Sequence, residues 1–332
     1  MSIESMETTV RVETPRTLSA PEWLERVSRC HGNPLHLVAP HLVENEATAI
    51  RLLVFEQEQE VVAVAPAVER RPRRLGLPLG RPVLTLPTTP ALRQAAQAPA
   101  VLEALLQEAK RSGYTRLVIQ AQSSAHLEAH ALCARHATPT LVEFVLDLQR
   151  PFETILAGMH KVHRKNMRRA EARGLVIEAE ASPASLERLR DMQGVSAQRA
   201  SEREHGFVVR DAEYFRRAFE HVYAHGPGTV LFARRGGEYL AGLAYLAAAG
   251  RALTVRSGSF PAGYETDAMY LLHREMIRSL LAQGVVELNL GGVPVAAAEA
   301  THPQHGLFEF KKGFGGREVT RLSLDLPLAA LP

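Results

Sequence analysis

The sequence is poor in cysteine and has no long apolar run. Its 332 residues include only two cysteines, Cys30 and Cys133, and no CxxC pair. A disulfide framework and a cysteine-based zinc site are therefore not expected, and a reducing compartment, the cytoplasm, is the natural location. The longest apolar run, from Leu240 to Gly250, falls short of the roughly 18 residues that a membrane span needs. The acidic N-terminus also lacks the order of a signal peptide. We expect no transmembrane segment, while docking on a membrane surface stays open.

Several catalytic and cofactor signatures are also missing. No GxGxxG follows a strand and no GxSxG elbow occurs, which argues against a dinucleotide site and a serine nucleophile. His160 and His163 lie three residues apart without further metal ligands nearby, so no metal is expected. His302 and His305 remain candidates for a proton shuttle at neutral pH. No cofactor is expected.

Lysine is scarce and unevenly placed. Lys and Arg number 39 against 36 Asp and Glu, a net charge of +3 that does not by itself indicate a nucleic-acid-binding protein. Only five residues are lysines, and four of them fall in the two segments HKVHRK and FKKGF. Because a lysine ammonium is a compact charge with three rotatable donors, unlike the planar arginine fork, both segments are candidate sites.

The same order of elements occurs twice along the chain. Leu52–Glu56 and Val61–Val68 predict a hairpin, followed by a strand at Val83–Leu86, a helix over about Ala91–Arg111 and a strand at Leu117–Ile119. The second half predicts the same series at 230–246, 252–255, 267–282 and 286–290. A weak internal duplication accounts best for this order. The order hairpin, strand, helix, strand resembles that of the GNAT acyltransferase fold. This resemblance implies an α/β (α+β) fold of two tandem GNAT-like lobes with mixed sheets flanked by helices, one over residues 1–149 and one over 150–332.

The segment from His160 to Gly174 predicts a basic helix. It lacks proline, is rich in helix formers and ends at a glycine. At about 100° per residue, its basic side chains fall within one arc of roughly 140°; these are Lys161, Arg164, Lys165, Arg168 and Arg169. Phosphates would relieve the repulsion between them. The alternative is a solvated basic face near a helix C-terminus.

Two further segments have candidate site residues. In VELNLGGV, alternation puts Glu287 and Asn289 on one face of a strand that ends in paired glycines. In HGLFEFKKGFGG, an extended chain would put Phe308 and Phe310 on one face, with Glu309 and Lys311 on the other. An aromatic wall beside an ammonium suits a polar substrate with a flat or anionic part. The alternative to a binding site is an edge strand with a core Phe pair and an exposed Lys.

Three segments, taken in order, resemble the FemABX family of peptidoglycan interpeptide-bridge aminoacyltransferases. They are RKNMRRAEARG, AMYLLHREMIRSLLAQGVVELNLGGV and GLFEFKKGFGG. The resemblance covers about residues 150–320 well, and the first lobe only in element order. It implies transfer of an amino acid from aminoacyl-tRNA to the side-chain amine of a peptidoglycan precursor's stem peptide, for cell-wall biogenesis. Its Phe-Lys pair falls on Phe310 and Lys311, which the resemblance implicates in handling the aminoacyl-tRNA end and the transition state.

Further contacts are expected around this pair. The family's Arg-Asp-Gly-Phe-like stretch is one residue out of step here, at Arg203–Phe207, and implies a precursor contact for Arg203. The substrate-binding candidates are Asn289, Glu309, Arg256, Arg203 and Tyr270. The candidates for binding tRNA or phosphate are Lys161, Arg164, Lys165, Arg168, Arg169 and Lys312. The acceptor is either nucleotide-linked or lipid-linked.

Two other functions stay open. One is a GNAT-type acyl-CoA N-acyltransferase, although RSGSFPAG does not supply the usual Arg/Gln-x-x-Gly-x-Gly/Ala pyrophosphate turn. The other is a non-catalytic module that binds tRNA or a wall precursor.

Overall fold

The computed structural model describes residues 7–38, 48–72, 80–122, 126–201, 209–224 and 226–328. The chain divides into two compact units, the first formed by residues 1–140 with 321–332 and the second by 141–320. The sequence places the boundary at 149/150 instead. Residues 141–147, which precede that position, pair with a strand of the second unit. Residues 324–327, near the end of the chain, pair with a strand of the first unit. The division in the structure therefore differs from the predicted one at these two segments.

The strands of the first unit are β1 (Thr9–Glu13), β2 (Thr48–Gln57), β3 (Glu60–Arg70), β4 (Val83–Leu86), β5 (Ala91–Leu92) and β6 (Arg116–Ile119). In its mixed sheet, β1, β2, β3, β4 and β6 are successive neighbours. The short β5 pairs with β3. Leu324–Pro327, the end of the last strand of the chain, pairs antiparallel with β6.

Helices cover this sheet. They are α1 (Ala20–Ser28), α2 (Pro34–Val38), α3 (Ala98–Arg111) and α4 (Ala131–His136). One apolar cluster contains α3 residues such as Leu102 and Leu105, and another contains Trp23 of α1. Both free cysteines are buried, one in each cluster.

The strands of the second unit are β7 (Ala137–Asp147), β8 (Val176–Ala179), β9 (Gly228–Arg235), β10 (Glu238–Ala248), β11 (Arg251–Ser259) and β12 (Glu287–Pro294). They pair as mixed parallel and antiparallel neighbours in the order β7, β12, β11, β10, β9, β8. The last strand, β13 (Arg317–Pro327), passes from this unit into the first.

The helices of the second unit enclose two apolar clusters. They are α5 (Phe152–Gly158), α6 (Lys161–Ala172), α7 (Pro183–Ser201), α8 (Ala212–Ala218), α9 (Pro261–Glu265), α10 (Ala268–Ala282) and α11 (His305–Lys312). The larger cluster joins the sheet to α5, α6, α10 and α11, and the smaller joins it to α7 and α8.

The duplicated order and the tandem α/β fold are confirmed. In each unit an antiparallel hairpin is followed by a third antiparallel strand, a helix and a strand parallel to the third. Gly113 (φ 74°) and Gly284 (φ 72°) follow α3 and α10 in the left-handed conformation that favours glycine, which is why both helices stop there.

One boundary prediction was wrong. The first-unit helix begins at Ala98 rather than near Ala91, because Ala91–Leu92 pairs with β3. Helix α7 extends as far as Ser201, and residues 202–208 lie outside the described part of the chain. No helix within the described ranges combines the length and apolar character needed to cross a bilayer.

Candidate active site

In the second unit, the parallel strands β11 and β12 separate near the centre of the sheet. The register between β11 and β12 ends at Leu253 and Asn289, and the pairing of β12 with β7 shifts between Asn289 and Gly292. Gly291 has φ 76° at this irregularity. A glycine is needed here because other residues rarely adopt that conformation. The opening lies at the carboxyl ends of parallel strands, where ligands commonly bind in α/β sheets.

A cavity of about 660 Å³ lies at this opening. It is lined by residues of α7, β11, α9, α10 and α11, all within the second unit. This volume is in the usual range for a small-molecule site. It can hold an amino acid and a short peptide segment, not a folded macromolecule.

Lys311 lines the cavity at the opening between the strands. Its Nζ donates a hydrogen bond to the Gly292 carbonyl oxygen at 3.1 Å. A Cβ on Gly291 would lie 3.3 Å from that Nζ and 3.6 Å from the Thr254 carbonyl oxygen of β11. Burial lowers the pKa of Lys311 to about 8, and the nearby Glu143 carboxylate acts in the opposite direction. The ammonium is thus enclosed but still titrates close to neutrality.

Buried polar groups beneath the ammonium hold β12 in shape. Asn289 is 2% exposed, donates from Nδ2 to Glu143 at 2.8 Å and accepts from the Gly291 backbone N–H at 2.7 Å. The hydrogen bond between Asn289 and Glu143 lowers the cost of burying both side chains. Asn289 shapes the irregularity and does not itself line the cavity.

Phe310 lines the cavity next to Lys311 and rests on an aromatic cluster. Its ring centroid lies 5.1 Å from those of Tyr270 and Phe314, and 5.4 Å from that of His273. Such edge and tilted contacts between rings are favourable beyond the area they bury. His273 is stacked on Phe314 at 4.6 Å, and burial lowers its pKa to about 4, so it is neutral at pH 7.

His163 connects α6 to this cluster. Its Nε2 lies 2.7 Å from the Phe310 carbonyl oxygen, and its ring contacts Tyr270, Phe310 and Phe314. Burial lowers its pKa, so the neutral ring donates its Nε2–H to that carbonyl. The imidazole therefore fixes the last turn of α11, which holds the Phe-Lys pair.

The FEFKK segment is helical, and the extended interpretation was wrong. A helix turns two residues by about 200°, so Phe308 and Phe310 point to different sides. Phe308 packs edge-on against Phe144 in the core, at a centroid distance of 5.2 Å. Glu309 is exposed and does not line the cavity, and Lys312 pairs with Glu318 at 3.1 Å. The helix places Phe310 and Lys311, one residue apart, on the cavity.

Arg256 lines the cavity next to a β-bulge in β11. Ala244 is opposite Arg256 while the next residue, Tyr245, is opposite Thr254, so Val255 is an extra residue. Bulges commonly redirect side chains beside functional sites. The Arg256 guanidinium lies 4.7 Å from the Tyr214 ring centroid and 5.3 Å from that of Phe215.

The basic helix is present as α6, with one face buried in the core. His163, Met167 and Ala170 are buried, while Lys161, Lys165 and Arg168 are exposed. Arg169 differs from these, since it binds Asp267 through two short hydrogen bonds of 2.5 and 2.6 Å. Arg164 donates to the Ala157 carbonyl oxygen at 2.9 Å. The basic arc is therefore only partly available to a partner.

The structure brings together four of the expected site residues, Arg256, Tyr270, Phe310 and Lys311, around one cavity. Arg203 lies outside the described residues. His302 and His305 do not line the cavity, and His305 Nδ1 lies 3.1 Å from the Ala297 carbonyl oxygen. The described residues include no cluster of three or more potential metal ligands.

The sequence interpretation missed the α7 wall, with Gln193, Ser196 and Arg199, and it missed His273. His273 lies three residues after Tyr270 on α10, a spacing that places both on one helix face and could have indicated it.

Comparisons with known proteins agree with this fold. The family model described as an acetyltransferase (GNAT) domain matches residues 157–312. The sequence matches no curated protein at a significant level. The crystal structure of FemX superposes with a TM-score of 0.75 at 12% identity, covering 96% of this chain and 98% of that one.

Two further structures are similar over nearly the whole chain. The C-terminal domain of a putative lysylphosphatidylglycerol synthetase from Agrobacterium fabrum has a TM-score of 0.57 at 16% identity, with 92% of both chains covered. A tandem GNAT protein from the clavulanic acid biosynthesis pathway has a TM-score of 0.56 at 14% identity, covering 98% of this chain and 100% of that one. The chain is thus an acyltransferase with a tandem GNAT fold similar to that of FemX, and its residues 157–312 match the acetyltransferase (GNAT) domain model.

Proposed function

We propose that the protein transfers an amino acid from aminoacyl-tRNA to the side-chain amine of a peptidoglycan precursor's stem peptide. The observation that supports this most is the position of Lys311. Its ammonium is enclosed where β11 and β12 part, beside Phe310 and on the wall of the cavity. The similarity to FemX supports the same reaction class.

The chemistry requires charge stabilisation more than a nucleophilic residue. The acceptor amine attacks the ester carbonyl, a C–N bond forms and negative charge develops on the carbonyl oxygen. The C–O bond to the tRNA ribose then breaks, and the proton lost by the amine ends on the ribose oxygen. The Lys311 ammonium can stabilise the oxyanion, and removing one such donor typically costs about 10²–10³ in kcat. Phe310 supplies a flat apolar wall beside it.

The exposed part of α6 is a suitable contact for tRNA phosphates. Lys161, Lys165 and Arg168 are exposed on one side of the helix, and have no ion pair among the described residues. Phosphates bind such unpaired cations by displacing counterions. Through His163, α6 is also hydrogen-bonded to the turn that holds Phe310 and Lys311.

An acyl-CoA donor is the competing proposal, and the start of α10 speaks against it. A CoA-dependent GNAT enzyme would place its pyrophosphate at a helix N-terminus after the third strand of this motif. Here the N-cap of α10 is Asp267, a carboxylate that is 8% exposed and binds Arg169 and Arg173. These three side chains pair with one another beside this helix end, and RSGSFPAG before it lacks the usual pyrophosphate turn.

The test is transfer from a mixture of charged tRNAs to nucleotide-linked and lipid-linked precursors, with products identified by mass. We expect a precursor extended by one residue, lost in Lys311→Ala and retained in Lys110→Ala, a lysine change in the first unit. Acetyl-CoA titrated by calorimetry should give no binding. Acetyl transfer without aminoacyl transfer would contradict the proposal. Unchanged function in Lys311→Ala would favour a non-catalytic binding module.

A further inference from the structure

The wall of the cavity formed by α7 and β11 contains charged and polar groups that the transfer step does not use. Gln193, Ser196 and Arg199 are spaced three residues apart, so they share one face of α7, and all three line the cavity. Arg256 of β11 lines the same cavity. The close packing of α7 on β11 depends on Gly258, where a Cβ would lie 2.5 Å from the Gln193 backbone nitrogen.

Both arginines are held by aromatic rings, and no carboxylate among the described residues pairs with them. The Arg199 guanidinium lies 4.0 Å from the Tyr264 ring centroid, as Arg256 lies over Tyr214. Tyr264 is itself fixed by a 2.9 Å contact with the Ser196 hydroxyl, which also accepts the Ser259 N–H. Neither arginine has an ion pair within the described ranges. Stacking uses the face of a guanidinium and leaves its N–H edge available to an oxyanion.

Other stacked arginines of this unit show the contrast. Arg188 lies 3.6 Å from the Tyr239 centroid and binds Glu180 at 3.0 Å. Arg234 stacks on the same ring and binds Glu178 at 2.6 Å. These arginines lie outside the cavity and have protein carboxylates as partners. Among the described residues, Arg199 and Arg256 are stacked, have no ion pair and line the cavity. Arg210, 5.6 Å from the Tyr214 ring centroid, also has no ion pair within those ranges but does not line the cavity.

The net charge of the cavity wall is positive. Arg199, Arg256 and Lys311 contribute three cations, and the acidic lining residue Asp267 is neutralised by Arg169 and Arg173. A ligand with a permanent negative charge is therefore favoured. Because Lys311 is assigned to the oxyanion of the transfer step, the arginines are available to a second anionic group.

Gln193 indicates the kind of anion. It is 6% exposed, and its Oε1 is buried without a hydrogen-bond partner in the described part of the chain. An unsatisfied buried acceptor is costly unless a ligand donor reaches it. A peptide C-terminus offers an N–H next to a carboxylate, whereas a phosphate offers no donor of that kind.

We propose that Arg199, Arg256 and Gln193 form a subsite for the C-terminal carboxylate and last amide N–H of the acceptor peptide. The assignment rests on the proposed function in requiring a peptide acceptor, and it adds a specificity determinant for that acceptor. The enzyme selects acceptors with a free C-terminus.

The subsite can be tested by binding alone, without tRNA or turnover. Calorimetry compares a lysine-containing tripeptide that has a free C-terminus with the same tripeptide as its C-terminal amide. We expect the free acid to bind about ten- to a hundred-fold more tightly, as for hydrogen bonds to charged groups. Arg199→Gln and Arg256→Gln should each reduce this preference, and the double variant should abolish it. Arg278→Gln, which changes an exposed arginine stacked on Phe152, is the matched control and should retain it.

The role of Gln193 has its own comparison. The depsipeptide in which an ester replaces the last amide lacks the N–H, and should bind the wild type about ten-fold more weakly than the peptide. In Gln193→Leu the two ligands should bind alike.

Equal binding of acid and amide to the wild type, or an unchanged preference in the double arginine variant, would overturn the subsite. Tight binding of inorganic phosphate at the arginines without acid-over-amide preference would overturn it as well. If these binding results hold but no charged tRNA supports transfer, the proposed function fails while the subsite stands. If transfer requires Lys311 but ignores the acceptor's C-terminus, the subsite fails alone.

Discussion

The imidazole of His163 occupies the space that a side chain on Gly313 would fill. A Cβ built on Gly313 would lie 2.0 Å from His163 Cε1 and 2.5 Å from both ring nitrogens. The same ring receives edge contacts from Tyr270 and Phe314 and is hydrogen-bonded to the Phe310 carbonyl. Helix α6 and the end of α11 therefore interlock immediately beside the candidate catalytic lysine.

Gly313→Ala should disrupt this interlock. The added methyl group must displace His163, which breaks the hydrogen bond to Phe310 and shifts the turn that holds Lys311. We expect a loss of roughly 1–3 kcal/mol in the free energy of unfolding, as for overpacked cores, together with a lower kcat. Denaturant unfolding and transfer assays measure both. Gly158→Ala, where a Cβ meets nothing within 4 Å, is the control; equal stability of the two variants would contradict the interlock.

The rate of transfer should depend on the titration of Lys311. Its pKa of about 8 means that the ammonium is lost as the pH rises through that value, so kcat should fall above pH 8. In Lys311→Arg the charge persists to much higher pH, since a guanidinium does not titrate in this range. That variant should show a reduced kcat without the alkaline fall. A profile that falls identically in both proteins would assign the titration to another group.

Lys311 should also reduce the stability of the fold. Between pH 8 and about 10.5 the unfolded chain holds this proton and the folded chain does not, so stability rises with pH there. At pH 7 the folded protein holds a poorly solvated ammonium. Lys311→Met should therefore raise the free energy of unfolding by roughly 1–3 kcal/mol while abolishing transfer. Urea unfolding at pH 7 measures it, and a loss of stability would show that the ammonium contributes to the fold.

His273 should make the fold sensitive to acid. Its folded pKa of about 4 is below the ordinary value near 6.5, so the stability present above pH 6.5 is lost as the pH falls towards 4. In His273→Phe this part of the pH dependence should disappear, leaving the carboxylate contributions that both proteins share. Parallel pH profiles of unfolding for the two proteins would refute the assignment.

Charge reversal on α6 should separate exposed from paired cations. A triple variant should weaken binding of charged tRNA at least about ten-fold at low salt and reduce the salt dependence of that binding. It combines Lys161→Glu, Lys165→Glu and Arg168→Glu. The fold should be unaffected, because these side chains are exposed. Arg169→Glu should instead destabilise the protein, since it opposes Asp267. Unchanged tRNA affinity in the triple variant would rule out α6 as the contact.

The sequence predicted the repeated strand order because hairpin turns and helix stops have local signals. The turn at Gly236–Gly237 and the glycines after α3 and α10 specify backbone conformations that few other residues adopt. These signals require no knowledge of the tertiary structure. The resemblance likewise identified Phe310 and Lys311, which the structure places on the cavity.

What sequence could not supply was the direction of individual side chains. The alternation of residue types in FEFKK predicted a strand, but the segment is a helix. In this helix Phe308 packs on Phe144, and His163 is hydrogen-bonded to the Phe310 carbonyl oxygen. Both contacts are tertiary, so the local sequence does not reveal them. The extra residue at Val255 has no local signal, yet it coincides with Arg256 reaching the wall of the cavity. Asn289 was expected at the substrate and is bound to Glu143 instead.

The return of Leu324–Pro327 to β6 has a consequence for synthesis. The first 140 residues leave the ribosome long before the strand that completes their sheet, so β6 emerges with an unpaired edge while the second unit is translated. Unpaired edges invite aggregation. The nascent N-terminal unit should therefore be the stage at which this protein depends most on chaperones, and a fragment ending near residue 140 should be poorly soluble when expressed alone.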